Sequence, residues 1–574
     1  MFYEIPESLR NEIEELEDDI RRYLMGERDT ESLRGRRVPF GCYEQRQNGT
    51  YMLRIRCPGG AITPAQLRAI ATLSKKYGRD SIHITTRQEF QIHDVKLENV
   101  VPIMRELLKA GLATRGGGGN TVRNILVSPE AGISADDVFD PTVYAFALTS
   151  QLIAEPDSWT LPRKFKIAFS SSAKDSALAH FNDLGFIAAT KQGERGFRVY
   201  VAGGMGAKPE IGHLLHDFIR CEDVYFVAEA IKRVFHKHGN RKDKNSARLR
   251  FLWKQLGKDR FRQLYEQEFE ELLKEPLRPL ELPQESAGSV TPPFRPMKIQ
   301  EPEFEAWKRR FVSRQRQPGL CSVLLPVFLG NLKNADAITL ALFLEAFGNN
   351  VLRATMGQNL RLRNIPEEYL GNVYVAVTSI SELASTPALL ANAIACAGAD
   401  TCRLGICLSR GALRAIKDKL AQSQLDLDQV PEFKLNISGC PNTCGQHMIA
   451  DLGFYGKVGR KGDQIVPAYG VVAGAIVADG KARLARNLGQ INARSLPDFV
   501  EAVLETWIRK KSRFQSFSEY VDAEGSRDIA SICRRYRAIT DSGTDATYWL
   551  DWGAETPFSL DGRGPGECSA GPAT

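Results

Sequence analysis

The chain repeats itself. A strand, a helix and a strand follow one another in YMLRIRCPGG, ITPAQLRAIATLSKKYG and DSIHITTRQEFQIHDV, and the same succession returns in CSVLLPVFLGN, ADAITLALFLEAFG and NNVLRATMGQNLRLRNI. Helical periodicity marks the middle segment of each set, and alternation marks the outer ones. The likeness continues downstream. Residues 161–172, LPRKFKIAFSSS, line up with residues 430–440, VPEFKLNISGC, when one residue is skipped. HFNDLGF from His180 then matches HMIADLGF from His447, each leading to a Gly-containing apolar strand. Self-similarity over this length implies two copies of one supersecondary unit, which predicts an α/β (α+β) multidomain fold with a pseudo-twofold internal repeat. A chain of 574 residues is also too long for one core.

Other segments divide the chain. MFYEIPESLRNEIEELEDDIRRYL reads as an acidic amphipathic helix, and residues 38–46 as a loop-like approach to the first strand. Residues 270–297 are rich in Glu, Leu and Pro and read as an extended connector. Past Gly525 the chain looks irregular and poorly packed, ending in DGRGPGECSAGPAT. The predicted division is 1–47, 48–115 paired with 317–370, 116–316, 371–524, and a C-terminal Gly-rich arm, 525–574. The net charge of +7 is spread along the chain without a basic tail, which argues against nucleic acid and for a small anion or an acidic protein as partner. No apolar run is long enough to span a bilayer, and the N-terminus opens acidic and amphipathic rather than as a basic region followed by an apolar one, so a cytoplasmic protein is expected.

Eleven cysteines are an odd number in a large chain, which points to metal ligation and buried thiols rather than a disulfide scaffold. Four fall in two tight pairs, Cys396-x5-Cys402 in CAGADTC and Cys440-x3-Cys444 in CPNTC. Two short loops can present four thiolates to an iron–sulfur cubane. Zinc is the first rival, although structural zinc favours shorter spacings on small knuckles. Four buried thiols in a reducing compartment are the second. Cys407, among Leu404, Ile406 and Leu408, reads as a core thiol.

At MLRIRCPGG, TTRQEFQIH, VRNILVSP, LPRKFK, TCRLGI and SGCPNTCG, in that order between about Tyr43 and about Tyr520, the chain resembles the sirohaem sulfite and nitrite reductases, closest to the assimilatory sulfite reductase haemoprotein (beta subunit). The resemblance implies two pseudo-symmetric halves around sirohaem and a [4Fe-4S] cluster, with residues 48–115 and 317–370 as ferredoxin-like half-domains, 116–316 binding sirohaem and anion, and 371–524 holding the cluster. It implies Cys396, Cys402, Cys440 and Cys444 as cluster ligands, with the Cys444 thiolate bridging to the haem iron. It implies an anion pocket of Arg54, Arg123, Lys164 and Lys166, where cations would hold a negative substrate and assist protonation. Arg87, Gln91, His93, Arg163 and Arg248 match sirohaem-binding positions, and guanidinium groups suit its carboxylates. Each cation also has a plain reading as a solvated strand, turn or helix charge.

Nitrite reductases of this family tend to carry a neutral residue such as Asn at the second lysine of the K-x-K pair. Lys166 is retained, which favours six-electron reduction of sulfite to sulfide over nitrite reduction on the same scaffold. A non-enzymatic iron–sulfur or zinc protein is the reading from another class. GGGGN and AGGMGAK lack the strand-to-helix setting of a dinucleotide site, so electrons are expected from an external donor, a ferredoxin or a flavoprotein subunit, with Lys457, Arg460 and Lys461 as candidate contacts. The segment from Asp545 onward, with Cys568, lies outside the resemblance. A packed or mobile tail is expected there, against a cofactor lid or a redox thiol.

Overall fold

The computed structural model describes residues 2–276, 280–283, 292–537, 546–564 and 567. Cys568 lies outside them. The chain forms two compact units, one of Met1–Gly204, Glu210–Ser381 and Glu567–Thr574, the other of Met205–Pro209 and Glu382–Gly566.

In the first unit the repeats exchange strands. One sheet runs Cys42–Glu44, Tyr51–Ile55, Phe90–Val95, Ser81–Ile84 and, from the second repeat, Asn331–Lys333. The other runs Val312–Arg314, Leu320–Leu325, Leu360–Pro366, Leu352–Ala354 and, from the first repeat, Ala61–Ile62. Helices Pro64–Tyr77 and Asn334–Leu344 pack together. The first of them starts on a capping box between Thr63 and Gln66. Close backbone approach makes the exchange possible. Gly60 has φ +69°, and a Cβ there would lie 2.2 Å from the Ala354 carbonyl oxygen. Its counterpart Gly330, also at φ +69°, would meet the Ile84 carbonyl at 2.5 Å.

Two sequence expectations change here. Residues 81–95 alternate without a break yet form a hairpin, turning at residues 85–89 with Gln88 at φ +59°. Gln358 makes the same turn in the second repeat at φ +60°. No glycine or proline announces the first turn. Gln88 carries it because its side-chain amide donates to the carbonyls of Val127 and Ala354, both at 3.0 Å, and its own amide N–H bonds the Thr85 carbonyl at 3.1 Å. Residues 38–46 are also not a loop, since they hold a 3-10 turn, Val38–Phe40, and the edge strand Cys42–Glu44.

The first unit has a third sheet, with Leu126–Val127, Ile167–Ser170 and Leu184–Lys191 parallel and Glu194–Val201 and His213–Arg220 antiparallel. Side chains of helices Thr142–Ala154, Val224–His238 and Leu249–Lys274 close its core. The second unit repeats this order in Ile394–Ala395, Leu435–Ser438, Leu452–Lys461, Gln464–Ala473 and Arg486–Asn492. Even the irregular residues recur. Asp175 and Leu178 take φ +50° and +62°, and Thr443 and Gln446 take +58° and +61°. The backbone N–H of Lys166 donates to Asp183 at 2.9 Å, and that of Lys434 to Asp451 at 2.8 Å. The matched histidines are one place out of step, however. Gly185 faces the Ala179 carbonyl as Gly453 faces that of His447, so His447 corresponds to Ala179 rather than His180.

The chain past Gly525 is not irregular throughout. Ser526–Arg537 is a helix that buries Ile529 and Cys533 and packs on Arg486–Asn492. Its signal was the apolar pair four apart in RDIASICRRYR. Among the described residues no helix is long and apolar enough to cross a membrane. The strand exchange yields a test: Gly60→Ala should cost about 2–4 kcal/mol through its positive φ and the carbonyl contact, read as a lowered urea midpoint with unchanged slope, whereas the same change at exposed Gly49 should cost far less.

Candidate functional site

The glycine-rich loop after residue 115 organises a group of cations in the first unit. Arg123, buried at 4% exposure, donates from Nε to the Gly116 carbonyl at 3.0 Å and from Nη2 to the Gly117 carbonyl. Arg54 Nη1 donates to that same Gly117 carbonyl at 3.1 Å. One peptide group therefore holds two of the arginines singled out in the sequence. Gly116 leaves room for the Arg56 guanidinium, which would lie 1.9 Å from a Cβ. Arg56 is buried and donates to the Val122 carbonyl at 2.7 Å, so it is a structural strut rather than a solvated charge.

Adjacent strands add the rest. Arg54 pairs with Gln91 across the sheet. The Gln91 amide satisfies both neighbours when its oxygen accepts from Arg54 Nη2 at 2.9 Å and its nitrogen donates to His93 Nε2 at 3.0 Å. Arg87 donates to the Asn124 carbonyl at 2.5 Å and to Asn182 at 3.1 Å. The backbone N–H of Arg123 donates to the Phe165 carbonyl at 2.9 Å, which seats Arg123 beside the Lys164-Phe165-Lys166 segment. Phe165 is fully buried, so by strand alternation the two lysines share the opposite face. Arg163 is buried against Asn120. Arg248 is not a solvated helical charge: it pairs with buried Asp183 through two oxygens, at 2.9 and 2.8 Å.

The electrostatics are one-sided. Burial first, then the charges of Arg87, Arg248, Lys164 and Arg123, hold the Lys166 ammonium well below its ordinary pKa. Burial lowers Arg87 to about 9 and Arg250 to about 10. Among the described residues Arg87 Nε and Arg250 Nε and Nη1 are buried without a hydrogen-bond partner. Glu89 and Asp183 are buried carboxylates within this group. The surplus of buried donors fits a polycarboxylate and an oxyanion. Arg250 and Asp183 were missed in the sequence. Arg250 lies two residues from Arg248 in ARLRF, and Gly204 packs against both guanidinium groups.

In the second unit backbone hydrogen bonds gather the cysteine loops. Cys396 N donates to the Ile437 carbonyl at 3.1 Å, and Gly439 N donates to the Cys396 sulfur at 3.2 Å. The Gly439 carbonyl accepts from the N–H groups of Ile406 and Cys407, both at 2.9 Å. Gly439 thus ties the loop after Cys402 to the loop that begins at Cys440. Cys440 is buried, Cys396 and Cys402 are half-buried, and Cys444 is exposed. Cys407 is fully buried, and burial raises its thiol well above the usual range. Among the described residues no three cysteine sulfurs come within 4.8 Å of one another. A single tetrahedral zinc with bonds of about 2.3 Å would need sulfurs about 3.8 Å apart. A cubane, with an iron at each ligated corner, takes sulfurs farther apart than a single ion does. Among the described residues one group of ligand-type side chains comes within 4.8 Å, Glu155, Asp157 and Glu229, and it already surrounds the Lys232 ammonium.

The nitrite and sulphite reductase 4Fe-4S domain matches residues 118–273 and 388–532, and the nitrite/sulfite reductase ferredoxin-like half domain matches 43–110 and 313–378. The chain belongs to the nitrite and sulfite reductase family. It is an oxidoreductase whose cofactors are sirohaem and a [4Fe-4S] cluster. Sulfite reductase [ferredoxin] 2 of Mycolicibacterium paratuberculosis is 29% identical over 87% of this chain and 90% of its own. Ferredoxin–nitrite reductase of Synechococcus elongatus is 31% identical over 79% of this chain and 86% of its own. The solved structure of the NirA protein of Mycobacterium tuberculosis superposes with a TM-score of 0.75 at 28% identity, over 90% of this chain and 97% of that one.

For a reductase of this family the pocket predicts a conflict between stability and function. The folded-state pKa of Lys166 lies below the unfolded value of about 10.4. The unfolded chain therefore binds more protons, and the penalty is full below the folded pKa and vanishes as pH rises past the unfolded one. Lys166→Met should stabilise the cofactor-free protein by about 1–2 kcal/mol near neutral pH, with the gain shrinking towards about pH 10, in urea denaturation across that range.

Proposed function

We propose that this enzyme reduces sulfite to sulfide, consuming six electrons and seven protons to turn the oxyanion into hydrosulfide and three waters. The observation that carries the proposal is Lys166, a lysine retained where a neutral residue would suit nitrite and set among four further cations. A dianion gains most from such a pocket. Arg54 and Arg123 hold the anion's oxygens, and Lys164 and Lys166 bind it and pass protons to oxygens that leave as water. Arg87, Gln91, His93, Arg163 and Arg248 orient the sirohaem carboxylates, Arg248 with Asp183 as its counter-charge. Cys396, Cys402, Cys440 and Cys444 ligate the cluster, and the exposure of Cys444 suits it to face a second cofactor. When bound, the cluster and sirohaem supply electrons and the metal site on which the substrate sits.

The donor in this reading is a reduced ferredoxin, as the names of the mycobacterial and cyanobacterial relatives suggest. Arg460 is exposed on the Leu452–Lys461 strand, with Lys457 and Lys461 half-buried beside the Tyr455 and Trp549 rings, and this basic strand suits an acidic partner. A cytoplasmic setting goes with this reading, since thiolate ligands of an iron–sulfur cluster need cysteines kept reduced. Nitrite reduction on the same residues is the second reading, favoured by the cyanobacterial relative.

Steady-state turnover of both anions with reduced methyl viologen decides between them, and a much larger kcat/KM for nitrite would overturn the choice of sulfite. Lys166→Asn should lower kcat/KM for sulfite about tenfold or more and for nitrite less; equal losses would remove the charge argument. Cys444→Ser should shift the sirohaem absorption bands and uncouple haem and cluster in electron paramagnetic resonance, and unchanged spectra would show that Cys444 is not the bridge.

A further inference from the structure

Residues 546–564 of the second unit carry a contact that the cofactor assignments leave unused. The segment 403–408, which follows Cys402 directly, is pinned on one side by the Gly439 carbonyl. On the other side it is pinned by the C-terminal arm at both of its ends. Gly564 N donates to the Arg403 carbonyl at 3.0 Å, and Leu408 N donates to Asp551 Oδ2 at 2.7 Å. Asp551 is 5% exposed, and its other oxygen accepts from Trp552 N at 2.8 Å.

The arm is itself seated firmly. Trp549 Nε1 donates to Gln464 and Trp552 Nε1 to the Ala493 carbonyl, both at 2.7 Å, while the Arg494 guanidinium lies 4.2 Å over the Trp552 ring. The Trp552 carbonyl oxygen would be 1.9 Å from a Cβ at Gly411, so a side chain there would unseat the arm. A buried carboxylate is costly unless its acceptors are used, and here one acceptor serves the arm and the other the loop.

We infer that the C-terminal arm is a clamp on the Cys402 loop and that Asp551 is its positioning residue. Hydrogen bonds outside a metal's own ligands fix the ligand loop, and a loop free to move releases its metal faster. Without the arm, segment 403–408 loses the contacts at both of its ends and keeps those at its centre, the Gly439 carbonyl on Ile406 and Cys407 and the Ala399 N–H on the Cys407 carbonyl at 2.9 Å. The inference rests on Cys402 being a cluster ligand.

The test uses full-length holoenzyme purified without oxygen as wild type, Asp551→Ala and Asp551→Asn, with iron and acid-labile sulfide counted and iron release to an external chelator timed. Asp551→Ala should release iron at least tenfold faster, while Asp551→Asn, which keeps one acceptor oxygen, should stay within about threefold of wild type. Amide hydrogen exchange at Leu408 should accelerate in Asp551→Ala alone. Iron release within twofold of wild type in Asp551→Ala would overturn the clamp and leave the ligand assignment standing, and equal acceleration in both variants would overturn the hydrogen-bond role of Asp551. Wild-type protein without four irons in a cluster would overturn the ligand assignment and the clamp with it. Should Asp551→Ala fail to fold, Gly411→Ala, which displaces the Trp552 carbonyl, provides the second arm, with the same tenfold criterion supporting the clamp and a rate within twofold overturning it.

Discussion

Like charges gathered in a poorly solvated pocket are the constraint around which the first unit is arranged. Arg87, Arg123, Lys164 and Arg248 all bear on Lys166. Each cation alone would pay desolvation, and together they repel. What offsets this within the protein is modest: the Gly116 and Gly117 carbonyls on Arg54 and Arg123, the Glu89 carboxylate beside Arg54 and Arg87, the Asp183 carboxylate on Arg248, and the Asn124 carbonyl on Arg87. In the proposed reading the remainder is offset by anions, which the carboxylates of sirohaem and an oxyanion substrate would bring. Only a stiff framework can hold such a pocket open to them. The exchanged strands supply it, because Arg54, Arg87 and Gln91 stand on or beside a sheet completed by the other repeat and cannot move without breaking that pairing.

The two copies of the parallel-edged sheet show how little backbone change separates the two tasks. Ser128 follows the Leu126–Val127 strand as Cys396 follows Ile394–Ala395, and Ser171 N donates to the Ser128 hydroxyl at 3.1 Å as Gly439 N donates to the Cys396 sulfur at 3.2 Å. Ser134 N bonds the carbonyl four residues back, as Cys402 N does. The shared left-handed residues then place Ser172 and Ser176 where Cys440 and Cys444 stand. Four serines thus occupy the positions of the four cysteines. A hydroxyl is a poor ligand for an iron–sulfur cubane, so this copy has the loops without the sulfur. Conversely Lys434, the counterpart of Lys166, is exposed.

Much of this was legible before the structure. Periodicity gave the repeat, and the family motifs carried the cations that converge. What was hidden had physical reasons. The hairpin at Gln88 escaped notice because its turn is stabilised by a side-chain amide reaching three carbonyls, a tertiary effect without a local marker. Arg250 was passed over because it stands two residues from Arg248 on the same short stretch, and only burial shows that its guanidinium is also turned inward. The serines were unreadable as a set, since four serines in separate loops mean nothing until the backbone bonds are laid over those of the cysteines. The helix Ser526–Arg537 is masked by a largely polar composition in which only Ile529 and Cys533 are buried, enough to seat it.

The cysteine spacing alone left zinc and iron open, and the loop geometry explains why it could not decide. The x5 spacing spans a 3-10 turn, Gly398–Asp400, which starts at φ +54° and bonds Cys402 N to the Gly398 carbonyl at 3.1 Å. Such a turn keeps its two cysteines apart, and in the proposed reading this separation matches a large cluster rather than one ion. The same stitching makes the four sulfurs unequal. Cys396 receives a backbone N–H, Cys440 is buried, and Cys444 is exposed. Hydrogen bonds to sulfur and solvent exposure set the potential of an iron–sulfur centre. In the proposed reading the accessible Cys444 thiolate, at the end of a well-anchored loop, would face the second cofactor while the other three sulfurs would hold the cluster still.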